Sequence, residues 1–222
     1  MTCGYSQQLW LWQLRHGKGA MDVRNLHHAY GRHAVLRGVT LRLPPGILAG
    51  IVGENGAGKT TLLKILSGEL SPDRGTVHHD GGFGYCPQAA TLHDALTVRQ
   101  HLEYFKVAYG LSDLRRAEEV MEVLRFSEYA DERAGVLSGG TRQKLNLTLA
   151  LMHDPRVLLL DEPYQGFDWE TYQRFWDLAA RLRENGRSVL VVSHLAYDAE
   201  RLDVLWRLDD GTLHEQSTEP AA

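Results

Sequence analysis

Apolar and polar positions change period several times along the chain, and each change predicts an element. Between residues 21 and 43 the pattern is strand-like, with Val39, Leu41 and Leu43 alternating with Thr40 and Arg42. Pro44, Pro45 and Gly46 predict a turn. Residues 47–52 are a continuous apolar run of the length of a buried strand. Leu62, Leu63, Ile65 and Leu66 then fall at helical spacing, stopped by Gly68, so residues 60–67 read as a helix. Residues 89–136 carry few strand signals and read as a helical insertion forming a second lobe. There Thr97 stands three before Gln100, the spacing of a capping box, and opens a helix running to about Gly110. Ser112 is placed to cap a second helix carrying Val120, Val123 and Leu124.

Beyond the insertion, strands and helices alternate. Residues 157–160 and 189–192 are short, wholly apolar strands. Between them residues 169–185 form a helix with Phe175, Leu178, Ala179 and Leu182 on one face, ended by Gly186. Strands without polar alternation, separated by helices, predict an α/β fold with a mostly parallel sheet covered by helices. Asp209, Asp210 and Gly211 predict a hairpin turn.

Composition excludes some classes. The net charge of −4 lacks the basic footprint of a nucleic-acid binder, so no nucleic-acid partner is expected. The two cysteines, Cys3 and Cys86, have neither metal-ligand spacing nor a framework of bridges, which fits a reducing compartment. No apolar run reaches the ~20 residues that cross a bilayer. Residues 1–20 differ from the rest: Leu9, Trp10, Leu11, Trp12 and Leu14 cluster with no preceding positive charge, unlike a secretory signal. This leader is expected to be disordered or to lie upstream of the true start at Met21. A surface- or partner-binding segment is the other reading.

The chemistry begins in the loop after the second apolar run. Gly53, Glu54, Asn55, Gly56, Ala57, Gly58, Lys59 and Thr60 fit G-x-x-x-x-G-K-[ST], between a strand and a helix. Glycines let the backbone turn tightly, so phosphate oxygens can reach its N–H groups. Those groups and the helix N-terminus form an anion nest. Lys59 adds a charge for the β- and γ-phosphates, and Thr60 a hydroxyl for Mg²⁺. The strand at 157–160 ends in Asp161 and Glu162. Ligands of parallel sheets sit at the carboxyl ends of strands, so Asp161 is expected to support the metal and Glu162 to polarise the attacking water. Ser138, Gly139 and Gly140, after Leu137, stand before a helix at 141–152 and offer a second set of anion-binding N–H groups. Two molecules packed head to tail could share each nucleotide.

With these pieces in this order, the sequence closely resembles the ATP-binding-cassette family. Leu137, Ser138, Gly139, Gly140, Thr141, Arg142 and Gln143 look like the family's signature, and the resemblance spans residues 21–213. It implies a P-loop ATPase core at 21–88 and 137–222, including an N-terminal antiparallel β subdomain, and an α-helical subdomain at 89–136. It also extends the nucleotide-binding positions to Thr61. By resemblance Tyr30 stacks on adenine, and Gln88 touches metal and water and joins the lobes. His194 contacts the γ-phosphate, Asp168 lies in the loop facing the dimer partner, and Ser138 and Gly140 bind the γ-phosphate held by the other subunit. One departure is plain: Tyr164, Gln165 and Phe167 stand where the family commonly has Thr, Ser and Leu. The small hydroxyl contacts across the dimer are therefore not expected, while hydrolysis is.

The function implied is an ATPase subunit with ATP and Mg²⁺, working as a homodimer or heterodimer at the cytoplasmic face of a membrane. It would drive integral membrane permease subunits on separate chains. The signature region looks more like that of exporter motors than importer motors. The alternative is a cassette ATPase acting on nucleic acid or the ribosome. His27-His28 and His78-His79-Asp80 match no metal-ligand spacing, since adjacent strand residues point to opposite faces.

Overall fold

The computed structural model describes residues 20–89, 92–194 and 198–216. Residues 1–19, which hold the expected leader and its apolar cluster, lie outside the described ones. Ala20 is buried, and its carbonyl accepts a hydrogen bond from the Asp80 amide at 3.0 Å.

The central layer is a six-stranded sheet of β3 (Leu48–Val52), β5 (Phe83–Cys86), β6 (Val157–Asp161), β7 (Ser188–Ser193), β8 (Val204–Asp209) and β9 (Thr212–Gln216). Their order is β5-β6-β7-β3-β8-β9, parallel throughout except for the β8–β9 hairpin. Its connection is the Asp210-Gly211 turn read from the sequence. Asp209 pairs with Thr212, and both turn residues take positive φ, 42° and 75°. That is the two-residue turn whose twist matches the strands.

The apolar runs bury both faces of the sheet. Leu158, Leu160, Val189 and Val191 join a core with α2 (Val98–Ala108), α3 (Arg115–Val123), α4 (Gly139–Leu151) and α5 (Trp169–Glu184). Val157, Leu159, Leu190 and Val192 point the other way, into a core with α1 (Lys59–Leu66) and a second sheet. Alternate side chains of a strand leave on opposite faces, and with both faces covered the sequence shows a solid apolar run.

The second sheet is antiparallel, in order β2-β1-β4, from β1 (Met21–Tyr30), β2 (His33–Leu43) and β4 (Arg74–His79). A bulge around Arg24 and Asn25, the latter at φ 50°, breaks the register of β1. Buried positions accordingly shift from Met21 and Val23 to Leu26 and His28. This parity switch brings a histidine into the interior, which alternation alone could not foresee. Among the described residues no group of three or more histidine, cysteine and carboxylate side chains is placed to hold a metal ion.

In the helical insertion, the Thr97 side chain accepts from the Gln100 amide at 3.1 Å and Gln100 Oε1 accepts from the Thr97 amide at 2.9 Å. α2 ends at Tyr109 and Gly110 as its pattern implied. The Ser112 cap is not made. Asp113 is one residue nearer the start of α3 and is an equally good acceptor. Its Oδ1 takes the Arg115 amide at 3.1 Å, while its other oxygen lies 2.8 Å from the Arg115 guanidinium.

Thr97→Ala removes one half of the capping box and leaves the sheet untouched. We expect a loss of about 1 kcal/mol, seen as a melting temperature lower by roughly 2–4 °C, with nucleotide affinity unchanged. An unaltered melting curve would show that the box does not hold α2.

Candidate functional site

The carboxyl ends of β3, β5, β6 and β7 open onto one side of the sheet, and a cleft of about 440 Å³ lies there. Parallel register aligns them: Val52 pairs with Ser193, Asp161 with Val192, and Cys86 with Leu160. The loop of residues 53–58 leaves β3 and delivers the chain into α1. Gly56 and Gly58 have φ of 87° and 101°, and the Ala57 amide bonds to the Glu54 carbonyl at 3.2 Å. Gly53 meets a different demand, since a Cβ there would lie 2.5 Å from the Leu208 carbonyl oxygen. The first helical bond of α1 joins the Leu62 amide to the Gly58 carbonyl at 2.8 Å. The amides before Leu62 are therefore those that a helix start offers to an anion.

Lys59 is buried against its own loop, donating to the carbonyls of Gly53 at 2.6 Å and Glu54 at 3.0 Å. Asn55, Gly56, Gly58, Lys59, Thr60 and Thr61 form one wall of the cleft, and Gln88, Asp161 and Glu162 another. Thr60 Oγ1 donates to Asp161 Oδ2 at 3.1 Å, across the intervening strand β7. Burial raises the Asp161 pKa above the usual carboxylate range; the Thr60 hydrogen bond opposes that, and the charge of Glu162 adds to it. A hydroxyl and a buried carboxylate side by side are hard oxygen donors in need of positive charge, which suits a divalent cation such as Mg²⁺.

Glu162 is buried at the rim, with φ of 49°, unusual for a residue with a side chain. Its amide bonds to the Val192 carbonyl at 2.9 Å, which holds the turn onto β7. The exposed ring of His194 brings Nδ1 to 2.9 Å from Glu162 Oε1. Thus Lys59, Thr60, Asp161 and Glu162, from segments a hundred residues apart, share one cleft, with His194 against its acidic edge.

Tyr30 lines the same cleft, more than half exposed, with its ring edge-on to His28 at 4.9 Å between centroids. A flat exposed ring there can take a planar base. Sequence reasoning missed His33 and Val35, which line the cleft beside Tyr30. They alternate on one face of β2, after a hairpin that pairs Tyr30 with His33. The sequence signal for that hairpin is Gly31, at φ 61°.

Ser138, Gly139, Gly140 and Asp168 do not line this cleft. Ser138 caps α4, its hydroxyl accepting from the Thr141 amide at 3.1 Å, and Asp168 caps α5, taking the Thr171 amide at 2.8 Å. That backbone hydrogen bond is the main cause holding Asp168 below its usual pKa. Gly140 packs against the loop before α5: a Cβ on it would lie 2.3 Å from the Gly166 carbonyl oxygen. The two helix starts thus form one surface patch, away from the cleft of their own chain. α4 also ties the cleft from behind. Gln143 reaches the Glu162 carbonyl at 3.5 Å and the Cys86 sulfur at 3.7 Å, and Asn146 donates to the Pro87 carbonyl at 2.7 Å. The buried Cys86 thiol has its pKa pushed up by desolvation and is no nucleophile.

Comparison with known proteins gives a consistent set. Residues 36–165 match the family model described as ABC transporter. The chain is 35% identical over 207 residues to Nod factor export ATP-binding protein I of Burkholderia orbicola (strain AU 1054), covering 86% of this chain and 68% of that protein. It is 30% identical over 209 residues to linearmycin resistance ATP-binding protein LnrL of Bacillus subtilis (strain 168), covering 87% and 67%. Among solved structures, an ATP-binding subunit of an ABC transporter superposes with a TM-score of 0.83 at 26% identity, over 89% of this chain and 90% of that one. The dimeric cassette MJ0796 superposes at 0.82 over 90% and 100%, at 24% identity, a likeness of fold.

Proposed function

This chain belongs to the ABC transporter family as an ATP-binding and ATP-hydrolysing subunit, and we propose from that premise how its residues divide the work. The domain comprises residues 21–222, with the catalytic core at 21–88 and 137–222 and the helical subdomain at 89–136. The loop of Gly53, Glu54, Asn55, Gly56, Ala57 and Gly58 wraps the β- and γ-phosphates with backbone N–H groups, aided by the positive end of α1 and by Thr61. Lys59 exchanges its two carbonyl partners for phosphate oxygens. Tyr30 carries the adenine. Thr60, Asp161 and Gln88 hold Mg²⁺, which when bound neutralises charge on the β- and γ-oxygens.

Glu162 orients and polarises the attacking water, while His194 steadies its carboxylate and faces the γ-phosphate. Phosphoryl transfer asks the protein mainly for positioning and charge stabilisation, and these groups supply both. Ser138, Gly139, Gly140 and Asp168 belong to the nucleotide site of a second cassette, identical or paralogous, so that ATP closes two copies around two nucleotides. This reading is supported by their position outside the chain's own cleft and by the single patch that Gly140 and Gly166 create. Among the described residues no helix is long and apolar enough to cross a membrane. The partners in this reading are permease subunits on separate chains, with this subunit at the cytoplasmic face, supported by likeness to an ATP-binding subunit of an ABC transporter. The direction is outward, supported by likeness to ATP-binding proteins of an export and a resistance system. The relatives named above do not favour the nucleic-acid or ribosome alternative.

One observation carries the reading: a phosphate loop, a hydroxyl–carboxylate pair and a histidine-bound glutamate meet at one cleft. Lys59→Ala should nearly abolish ATP binding, measured by equilibrium titration; unchanged affinity would refute the phosphate-loop assignment. Glu162→Gln should keep ATP binding, accumulate a dimer in size-exclusion chromatography and lower turnover by roughly 10²- to 10⁴-fold. Normal turnover in that variant removes Glu162 from its role. Tagged protein drawn from detergent-solubilised membranes should carry a polytopic membrane protein. Recovery of ribosomes or DNA alone would favour the other class.

A further inference from the structure

The start of α4 is held from outside the helix. Its first helical bond runs from the Arg142 amide to the Ser138 carbonyl at 2.9 Å. The guanidinium of the same residue turns back past that start. Its Nη1 donates to the Ala134 carbonyl and to Asp94 Oδ1, each at 2.7 Å. Ala134 opens the single turn Ala134–Val136, which leads into Leu137 and Ser138. Asp94 belongs to the segment between Gln88 and α2. The backbones of the two segments are joined as well. The Ala134 amide bonds to the Leu96 carbonyl at 2.8 Å, and the Gly135 amide to the Asp94 carbonyl at 3.0 Å. A Cβ on Gly135 would lie 3.0 Å from that of Asp94. The Asp94 segment is braced on α2 by the buried ring of His101, whose Nε2 accepts from the His93 amide at 3.0 Å and whose Nδ1 lies 2.8 Å from the Thr97 carbonyl. Packing holds Gly140 on Gly166, yet Ser138 and Gly139 are exposed, and a Cβ on Gly139 would meet nothing within 4 Å. That side of the helix start is therefore left to the guanidinium.

We propose that Arg142, anchored on Asp94, is a positioning residue that acts in trans: it fixes Ser138 and Gly139 for the nucleotide of the neighbouring cassette, not for the one in its own cleft. Arg142 does not line that cleft. An exposed ion pair contributes little to folding, and Asp94 is exposed. One nitrogen shared between two acceptors from distant segments instead fixes a position. A roof of N–H and hydroxyl groups works only where those groups stand correctly, and misplacement by about 1 Å can cost roughly 10²-fold in rate. The inference deepens the proposed function and rests on the signature serving a second cassette. It also joins the two sites mechanically, since Gln88 lines one of them and Asp94, soon after it in sequence, braces the group that reaches the other.

The test uses the full chain with MgATP. Arg142→Ala should lower kcat about 10-fold, with ATP affinity in equilibrium titration unchanged. Asp94→Ala, at an exposed position that does not endanger the core, should lower kcat in the same way. The double variant should be no slower than Arg142→Ala, because both changes break one link. Mixing gives the decisive readout. Glu162→Gln protein keeps an intact signature but does not turn over, so an excess of it, added before ATP, should restore most of the lost turnover of Arg142→Ala protein. Gly139→Asp is the reference: its carboxylate enters open space, repels phosphate and disables the signature outright, and the same mixing should rescue it. Wild-type kcat in both Arg142→Ala and Asp94→Ala overturns the proposal. So does a slow Arg142→Ala protein with weakened ATP affinity, or one that mixing leaves slow while Gly139→Asp is rescued; in that last case this inference alone fails. If mixing rescues neither, the reading of a shared site falls and takes this inference with it.

Discussion

The site depends on one alignment, the parallel register of β3, β7 and β6. β7 separates the other two, yet all three end at the same level: Val52 opposite Ser193, and Val192 opposite Asp161. That places the turn leaving β3 and the acidic end of β6 within a hydrogen bond of each other, Thr60 to Asp161, over the top of β7. A slip of one residue would send Asp161 to the opposite face of the sheet, because side chains alternate along a strand. The apolar packing on both faces forbids the slip, so the same residues that stabilise the sheet also set the geometry of the cleft.

Electrostatics explains why such a cleft is worth maintaining. Asp161 and Glu162 are adjacent and both buried, an arrangement that costs free energy unless positive charge is near. Lys59 and the start of α1 provide part of it. The strained backbone of Glu162 adds a cost of about 1–3 kcal/mol, offset by its amide bond to Val192 and by contacts at both carboxylate oxygens. The loop curls its own lysine onto the carbonyls of Gly53 and Glu54, and the proposed function has Lys59 exchange them for phosphate oxygens.

Several side chains have two roles. Ser138 and Asp168 are helix caps by their hydrogen bonds, and the proposed function also gives them to a neighbouring nucleotide. These uses are compatible, since a cap leaves the remaining amides at the helix start pointing outward. Gly140 is required by the close approach of Gly166 as much as by any anion. Gln143 and Asn146 on α4 brace the ends of β5 and β6 from behind, so the helix that begins at the signature is mechanically continuous with the cleft.

Much of this was legible in the residues alone. The solid apolar runs at 47–52, 157–160 and 189–192 determined a doubly covered parallel sheet, because an unbroken strand can bury itself only between two layers. Thr97 with Gln100 and Asp210 with Gly211 determined a helix start and a hairpin, because caps and two-residue turns are local hydrogen-bonding and φ requirements. The loop of residues 53–58 and the Asp161-Glu162 pair could be read as a candidate site for the same reason: the residue types that mark it lie within a few consecutive positions. Tertiary structure alone decided the rest. The use of Asp113 rather than Ser112 as an acceptor ahead of α3, the bulge that turns His28 inward, the entry of His33 and Val35 into the cleft, and the contacts of Ser193 and His194 with Glu162 all involve either a contest between near-equal local options or partners distant in sequence. Such contacts form only after the layers have packed, and no local preference along the chain encodes which side chains that packing will bring together.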